Sequence, residues 1–168
     1  YNNKVDIVKT QILTAYNNQI KVVTSRSEKE RFITRSAKYL MKYPKIRLNG
    51  KSIIEFNKTE KTIRVEPRIN IGEITTFLYK YNLSIGVVPE LKCLTAGGLI
   101  CGCGAESTSW KYGVFFERVR CYDIVFGNGE HKTITKDDPF FRYLSYSYGT
   151  LGLVTSITFD CIEIKPYV

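Results

Sequence analysis

Residues Leu94 to Gly113 read LTAGGLICGCGAESTSWKYG, and this stretch decides how the rest of the chain is interpreted. Four of its five glycines lie within eight residues, among small and hydroxyl-bearing residues. Because glycine lacks a Cβ atom and adopts positive φ at little cost, the stretch predicts a loop whose backbone amides contact a ligand such as phosphate. Leu99, Ile100 and Trp110 favour burial, which predicts an ordered loop rather than a flexible linker. The four glycines are Gly97, Gly98, Gly102 and Gly104.

The size and composition of the chain are those of one globular domain. It has 168 residues, of which 43% are hydrophobic and 13% aromatic, enough to form a single core. No apolar run approaches the roughly 20 residues that cross a bilayer, and no signal-peptide pattern is present. We therefore expect this chain by itself to be soluble. Because it begins with Tyr1 rather than methionine, we also expect it to be a fragment of a longer protein.

The net charge of +9 favours a polyanionic partner in principle, and basic residues are dense between Arg26 and Arg47. No helix-turn-helix, zinc-finger spacing or RNA-binding aromatic motif accompanies this charge. A solvated basic surface is the preferred interpretation, and no nucleic-acid partner is expected.

The cysteine pattern predicts free thiols. The five cysteines are an odd number without C-x-x-C spacing, and the single histidine, His131, is distant in sequence from most of them. Neither a disulfide framework nor a metal site is indicated, so buried thiols in a reducing compartment are expected. The cysteines are Cys93, Cys101, Cys103, Cys121 and Cys161.

Hydrophobic periodicity predicts an α+β domain. The spacing of Val5, Val8, Ile12 and Tyr16 predicts a helix. A helix over Ile71 to Tyr81 is predicted with an N-terminal capping box of Asn70 and Glu73, and the turn Asn128-Gly129 predicts a hairpin. Short helices are predicted around Ile33 to Met41 and from Asp138-Pro139. Strands are predicted over Ile20 to Thr24, Ser52 to Phe56, Thr62 to Glu66, Leu83 to Val88, Glu117 to Phe126, His131 to Thr135 and Leu153 to Ile164.

The glycine-rich stretch does not match the common nucleotide-binding motifs. Gly102-x-Gly104 begins a near match to G-x-G-x-x-G, but a polar segment that ends at Gly113 follows instead of an amphipathic helix. No Gly-Lys-Ser/Thr is present either, so a Walker-type phosphate loop is excluded.

Several short sequence motifs instead resemble, in order and spacing, those of the FAD-binding domain of the vanillyl-alcohol-oxidase type. Within that type, they most resemble the Δ24-sterol reductase family. The resemblance spans about Arg64 to Ile164 and continues less closely to the first helix. The motifs are Arg64-Val65-Glu66-Pro67, Val88-Pro89-Glu90-Leu91, Thr95-Ala96-Gly97-Gly98-Leu99-Ile100, Gly102-x-Gly104, Glu106-Ser107, Lys111-Tyr112-Gly113 and Gly149-Thr150-Leu151-Gly152-Leu153-Val154.

This resemblance implies a two-lobed α+β domain of the PCMH type, with lobes at about 1–90 and 91–168 and a substrate-binding cap domain outside this chain. It implies noncovalent FAD, with NADPH as the reductant of a C=C bond in the side chain of a sterol. It also implies a sterol-like substrate and a place at the cytosolic face of the endoplasmic reticulum membrane, any membrane association lying in parts outside this chain. Catalytic residues are not assigned.

The resemblance places cofactor contacts in separate stretches of the chain. After the residue that corresponds to Arg26, the family has a Pro-Gly-aromatic turn, whereas this chain has Ser27-Glu28-Lys29. The sequence of this loop therefore departs from that of the family. Tyr112 is expected either to stack near the flavin or to anchor the loop. The predicted cofactor-binding residues are Thr24, Ser25, Arg26, Pro89, Leu94, Thr95, Ala96, Gly97, Gly98, Leu99, Ile100, Cys101, Gly102, Cys103, Gly104, Ala105, Glu106, Ser107, Tyr112, Gly149, Leu151, Gly152 and Val154, and no metal ligands are predicted.

Two other functions remain open. The first is an FAD-dependent oxidase or dehydrogenase of an alcohol, sugar or lactone, and the second is a domain that has lost flavin and serves as a basic binding module.

Valine at Gly98 or Gly104 is expected to abolish flavin loading by steric exclusion. His131, Asp123 and Glu117 are interpreted as strand residues at the surface, and Trp110 as a packing residue.

Overall fold

The structure is a computed structural model that describes residues 1–24 and 42–165. Within these residues there are four α-helices and nine strands, with short 3₁₀ helices at Phe115–Arg118 and Phe141–Leu144. The helices are α1 (Asn2–Asn17), α2 (Ile71–Tyr79), α3 (Ala96–Gly102) and α4 (Ser109–Tyr112). The strands are β1 (Val23–Thr24), β2 (Lys45–Ile46), β3 (Ile53–Asn57), β4 (Thr62–Val65), β5 (Leu83–Ser84), β6 (Val119–Phe126), β7 (His131–Thr135), β8 (Gly152–Asp160) and β9 (Ile162–Glu163).

A five-stranded antiparallel sheet in the order β3-β4-β8-β6-β7 forms the centre of the fold. Two small sheets accompany it, a parallel pair of β1 and β2 and an antiparallel pair of β5 and β9. This mixture of helices and mainly antiparallel strands confirms the predicted α+β class. The large sheet combines strands from both sides of residue 90, and the division into lobes stays a prediction.

Helices cover the two faces of the sheet unequally. The larger core packs α2 and α3 against inward-facing residues of β4, β6 and β8, such as Ile63, Ile124 and Ile157, all with no exposed surface. A smaller cluster packs α1 against β2 and β6 through residues that include Ile12, Ile46 and Val125. Because side chains alternate across a strand, β6 contributes Tyr122 and Ile124 to one core and Val125 to the other.

The predictions that rested on specific local chemistry are confirmed. Helix α2 begins at a capping box, in which the Asn70 side chain accepts from the Glu73 backbone and the Glu73 carboxylate accepts from the Asn70 amide. The hairpin of β6 and β7 turns through Gly129, whose φ is 82°. Its positive φ explains why glycine occupies this turn position.

The glycine-rich stretch was predicted to be a loop, and this prediction is wrong where the stretch forms α3 and, near its end, the short helix α4. The side-chain oxygen of Thr95 accepts a hydrogen bond from the Gly98 amide and so caps the helix. Ala96, Leu99 and Ile100 are buried at helical spacing against the main core. Burial of this face outweighs the low helix propensity of glycine.

Other boundaries differ from the predictions for local reasons. In α1, Ala15 faces the core and Tyr16 is exposed. The strand predicted over Leu83 to Val88 is only β5, because Gly86 has a φ of 85° and interrupts the extended backbone. The strand predicted over Leu153 to Ile164 divides into β8 and β9 at Cys161, whose amide donates to the Lys61 carbonyl. The helix predicted around Ile33 to Met41 lies outside the described residues.

Candidate functional site

A cleft of about 320 Å³ lies between α3, the β1–β2 pair and the start of β8. This volume is at the lower end of the range of ligand pockets, about 300 to 1,000 Å³. The cleft is assembled from stretches that are far apart in sequence, which is typical of a cofactor site. Its lining residues are Thr24, Ile46, Leu48, Pro67, Arg68, Gly97, Gly98, Cys101, Gly102, Tyr148, Gly149, Gly152, Leu153 and Val154.

Glycines of α3 form one wall of the cleft, and two of them have different structural roles. A Cβ atom added at Gly97 would lie 2.8 Å from the Pro67 Cβ, so glycine here allows α3 to approach Pro67 closely. A Cβ atom added at Gly102 would meet no atom of the described residues within 4 Å. Gly97 is therefore required by packing within the protein, whereas Gly102 borders open space at the cleft.

The amides at the start of α3 are already used within the protein. The Gly97 amide donates to the Pro67 carbonyl at 2.8 Å, and the Gly98 amide donates to Thr95 Oγ1 at 3.3 Å. The Ala96 amide donates to the Ile69 carbonyl at 3.1 Å. The expectation of amides exposed to a ligand is therefore wrong for these three residues, because the segment before α2 accepts two of the amides and the Thr95 cap accepts the third.

The opposite wall is the start of β8. A Cβ atom at Gly152 would lie 2.7 Å from the Val125 carbonyl oxygen, so glycine here lets β8 pair closely with β6. Gly149 has a φ of 77°, and a Cβ atom there would meet only Thr24 Oγ1, at 3.9 Å. Leu153 and Val154 complete an apolar surface. The two walls thus offer flat backbone and apolar side chains to a planar ligand.

Arg68 brings positive charge to the cleft. Its guanidinium Nη1 donates to Asn49 Oδ1 at 2.7 Å, and its amide donates to the Gly50 carbonyl at 3.0 Å. Among the described residues that line the cleft, it is the one with a cationic side chain. An arginine at the edge of an apolar cleft is suited to anionic oxygens such as those of a phosphate.

Cys101 lines the cleft as a protonated thiol. Burial raises its pKa to about 11, and hydrogen bonds with Ser147 and the Gly149 amide offset this only in part. Because the thiolate is the nucleophilic form of cysteine, this thiol is weakly reactive at neutral pH. The expectation that all cysteines are buried is wrong at Cys93, which is exposed.

The structure gathers a part of the predicted site and places the rest elsewhere. The cleft brings together Thr24, Gly97, Gly98, Cys101, Gly102, Gly149, Gly152 and Val154. Sequence reasoning missed Ile46, Leu48, Pro67, Arg68, Tyr148 and Leu153, which line the same cleft. Ser25 and Arg26 lie outside the described residues. The predicted residues that do not line this cleft are Pro89, Leu94, Thr95, Ala96, Leu99, Ile100, Cys103, Gly104, Ala105, Glu106, Ser107, Tyr112 and Leu151.

Several residues of that last group have roles in the fold. Gly104 is buried, and a Cβ atom there would lie 3.0 Å from Leu99 Cδ2 and 3.3 Å from Phe115 Cβ. The Tyr112 ring lies 5.2 Å from Lys111 Nζ and 5.7 Å from Arg118 Cζ, which favours its role as a loop anchor. Valine at Gly104 would therefore disturb packing between α3 and the core rather than fill the cleft.

Four other sequence interpretations are settled by the surroundings of each side chain. Trp110 is 86% exposed, so its interpretation as a packing residue is wrong. Asp123 is 5% exposed and belongs to a buried polar cluster, not to the surface. Glu117 lies in a 3₁₀ helix and accepts from the Val114 amide at 2.8 Å. His131 is a strand residue as predicted, half-buried beside Thr155.

Metal sites and membrane spans each require a recognisable arrangement of residues. Within the described residues, 1–24 and 42–165, no group of three or more His, Cys, Asp or Glu side chains is placed to hold a metal ion. In the same residues, no helix has the length and apolar character needed to cross a membrane.

Comparison with known proteins gives concordant results at the levels of sequence and fold. The FAD binding domain family model matches residues 12–135. The chain is 40% identical to a Delta(24)-sterol reductase of Arabidopsis thaliana over 121 residues, which are 70% of this chain and 22% of the relative. It is 35% identical to the Homo sapiens Delta(24)-sterol reductase over 136 residues, 80% of this chain and 26% of the relative.

A solved structure supports the same fold. The xylooligosaccharide oxidase from Myceliophthora thermophila, solved with xylobiose, superposes with a TM-score of 0.77 at 17% identity. The match covers 95% of this chain and 34% of that protein. The chain thus spans about a quarter of the length of the two sterol reductases and a third of the oxidase.

Proposed function

Because this chain belongs to the FAD-binding domain family, we propose that the cleft between α3 and β8 holds FAD as part of an oxidoreductase that resembles Δ24-sterol reductase. The observation that carries the proposal is the convergence of Thr24, the α3 glycines and Gly149 to Val154 on one cleft. These stretches are separated by long intervals in sequence, and each was predicted to contact the same cofactor.

The residues of the cleft fit parts of a flavin dinucleotide. The open space at Gly102 and the apolar walls at Leu153 and Val154 suit a planar ring system. Arg68 suits a phosphate group. The cleft is smaller than a whole dinucleotide, so the remainder of FAD contacts residues beyond this lining. Ser25 and Arg26, which follow Thr24 directly in sequence, are proposed to supply pyrophosphate contacts.

The bound cofactor supplies hydride-transfer chemistry, and this chain supplies its binding and orientation. The high pKa of the Cys101 thiol supports noncovalent binding, since a protonated thiol is a poor nucleophile. The cleft residues named here are therefore assigned to binding alone, and no proton-transfer role is assigned to this chain.

The proposed reaction of the whole protein is reduction of a C=C bond in the side chain of a sterol, with NADPH as the source of hydride. Sequence identities of 40% and 35% to sterol reductases support this reaction over others. A location at the cytosolic face of the endoplasmic reticulum membrane and a sterol-like substrate belong to the same proposal. An oxidase of an alcohol, sugar or lactone is the second candidate, because an oxidase shares the fold at 17% identity.

Titration of the purified chain with FAD tests the binding proposal. We expect saturable, one-to-one binding that leaves the protein yellow after removal of free FAD by gel filtration. A folded chain that remains colourless at high FAD concentration would contradict the proposal and favour a basic binding module. For the full-length protein, anaerobic NADPH is expected to bleach the flavin absorbance, and a Δ24-unsaturated sterol is expected to restore it. Bleaching of the flavin by an alcohol, sugar or lactone instead of NADPH, followed by restoration with oxygen, would favour the oxidase.

A further inference from the structure

Tyr148 lies at the edge of the cleft, and most of its surface is exposed to solvent. Its side chain is 78% exposed, although the residue lines the cleft. It belongs to a segment of residues 146–149, here called the rim segment, that connects the 3₁₀ helix at Phe141–Leu144 to β8. None of the sequence motifs that predicted the site includes this tyrosine.

The rim segment is fixed to the C-terminal end of α3. The Tyr148 amide donates to the Cys101 carbonyl at 3.0 Å. The Gly149 amide donates to Ser147 Oγ at 3.4 Å, and Tyr146 contacts the Cys103 thiol. The contacts with Cys101 and Cys103 hold the rim segment against the end of α3, whose glycines form one wall of the cleft.

This backbone is held in an unfavourable conformation. In the rim segment, Tyr146 has a φ of 63° and Tyr148 of 51°, both in the left-handed region. Cys103, which Tyr146 contacts, also has a positive φ, of 86°. Positive φ costs a residue with a Cβ atom about 1 to 2 kcal/mol, and such residues concentrate at ligand-binding sites. Glycine would avoid this cost at position 148, whereas this chain has a tyrosine there whose side chain borders the cleft.

We propose that Tyr148 is a positioning residue whose ring stacks on a planar aromatic group of the dinucleotide in the cleft. The ring is exposed at the rim, adjacent walls are apolar or glycine, and no described aromatic residue other than Tyr148 lines the cleft. A tyrosine offers a large flat surface with only two side-chain torsions to restrain. This inference rests on the proposed function, since it takes an FAD-like dinucleotide as the ligand.

Isothermal titration calorimetry of the chain with FAD tests this inference, because it measures binding affinity rather than enzyme activity. Tyr148→Leu is expected to bind FAD about tenfold more weakly, because stacking of one base on an aromatic side chain contributes roughly that factor or more. Tyr148→Phe keeps the ring and is expected to bind as the wild type does. Tyr148→Gly removes the ring while relieving the positive φ, so its weaker binding cannot arise from a strained or unfolded chain.

Tyr79→Leu is the matched control, because Tyr79 is 53% exposed on α2 and does not line the cleft. Equal FAD affinity of the wild type, Tyr148→Leu and Tyr148→Gly would overturn the inference and leave the proposed function intact. A wild-type chain that binds no FAD would overturn both. Titrations of the wild type and Tyr148→Leu with FMN and with ADP identify the stacked group. If Tyr148→Leu loses affinity for FMN alone, the tyrosine stacks on the flavin ring. If it loses affinity for ADP alone, the tyrosine stacks on the adenine.

Discussion

Arg64 on β4 forms an ion pair with Asp123 on β6, across the intervening strand β8. From β8, the Ser156 hydroxyl donates to the same carboxylate, and from β7 the Thr133 hydroxyl donates at 2.6 Å. The Tyr1 hydroxyl donates to it at 3.0 Å from the residue that precedes α1. A single buried carboxylate therefore connects four strands of the large sheet with the start of the first helix.

The first prediction is that Asp123→Ala lowers the free energy of unfolding by about 2 to 3 kcal/mol. The substitution leaves Arg64 without its carboxylate partner and removes the shared acceptor of Ser156 and Thr133. Urea denaturation followed by circular dichroism measures the change.

Asp160→Ala is the control for this prediction. Asp160 forms ion pairs with Arg120 and Lys136, but these basic side chains are 45% and 49% exposed. Exposed pairs contribute at most about 1 kcal/mol. Equal destabilisation by the two alanine substitutions would contradict the assignment of Asp123 as the central buried acceptor.

The second prediction concerns the pH dependence of stability. Burial alone would raise the pKa of Asp123, but hydrogen bonds from Ser156, Thr133 and Arg64 hold that pKa below its usual range. Because the folded state binds the proton less tightly than the unfolded state, the stabilisation is complete above the unfolded pKa of about 4. It is lost as the pH falls through the lower, folded-state pKa.

The free energy of unfolding is therefore expected to be nearly constant between about pH 5 and 7 and to fall below about pH 4. Glu66 adds to the same decline, since its bonds with Lys4 and Ser52 outweigh burial and lower its pKa. Urea denaturation at a series of pH values measures the profile. Asp123→Asn should give a shallower decline, and a profile unchanged by this substitution would exclude Asp123 as a contributor.

Local chemistry explains which parts of the fold could be predicted from the sequence. The Asn70 and Glu73 capping box and the hairpin turn at Gly129 depend on neighbours within a few positions, and both were predicted correctly. Helix α3 was missed because its three glycines favour a loop by composition. The signal that indicates the helix is the Thr95 cap followed by Ala96, Leu99 and Ile100 at helical spacing.

The remaining features depend on contacts between residues distant in sequence. Asp123 and Arg64 are 59 positions apart, and only the strand order brings them together. Ile46 and Arg68 line the cleft without belonging to a recognisable motif, because the topology places them beside α3. Motif residues therefore lie on two walls of the cleft, whereas the positions of Ile46, Arg68 and Tyr148 at the same cleft required the tertiary structure.

The third prediction tests the cleft by filling it. Gly102→Val is expected to weaken FAD binding at least about tenfold and to change the free energy of unfolding by less than about 1 kcal/mol. The reason is that a Cβ atom at Gly102 meets no atom within 4 Å in the part of the chain that the structure describes, whereas the residue lines the cleft. Binding is measured by titration, and stability by urea denaturation.

Gly127→Val is the matched control, since a Cβ atom at Gly127 also meets nothing within 4 Å among residues 1–24 and 42–165, and Gly127 does not line this cleft. It should leave FAD affinity unchanged. If both variants bound FAD as tightly as the wild type, the cleft would not be the cofactor site.

The fourth prediction separates packing from ligand binding within the same glycine-rich stretch. Gly104→Val is expected to destabilise the fold by about 1 to 3 kcal/mol, because its side chain would press on Leu99 and Phe115. Any loss of FAD affinity should then follow the loss of folded protein and recover under stabilising conditions such as added sucrose. A Gly104→Val protein that is as stable as the wild type but does not bind FAD would instead place Gly104 at the ligand.

The fifth prediction uses two cysteines of unequal exposure as reporters of the cleft. Cys93 is exposed, whereas Cys101 lines the cleft and burial raises its pKa to about 11. Because only the thiolate reacts readily, iodoacetamide at neutral pH should alkylate Cys93 well before Cys101. Saturating FAD should slow alkylation of Cys101 severalfold further and leave the Cys93 rate unchanged, as measured by peptide mass spectrometry. Equal Cys101 rates with and without bound FAD would show that the cofactor lies elsewhere, since a ligand seated against α3 must cover this thiol.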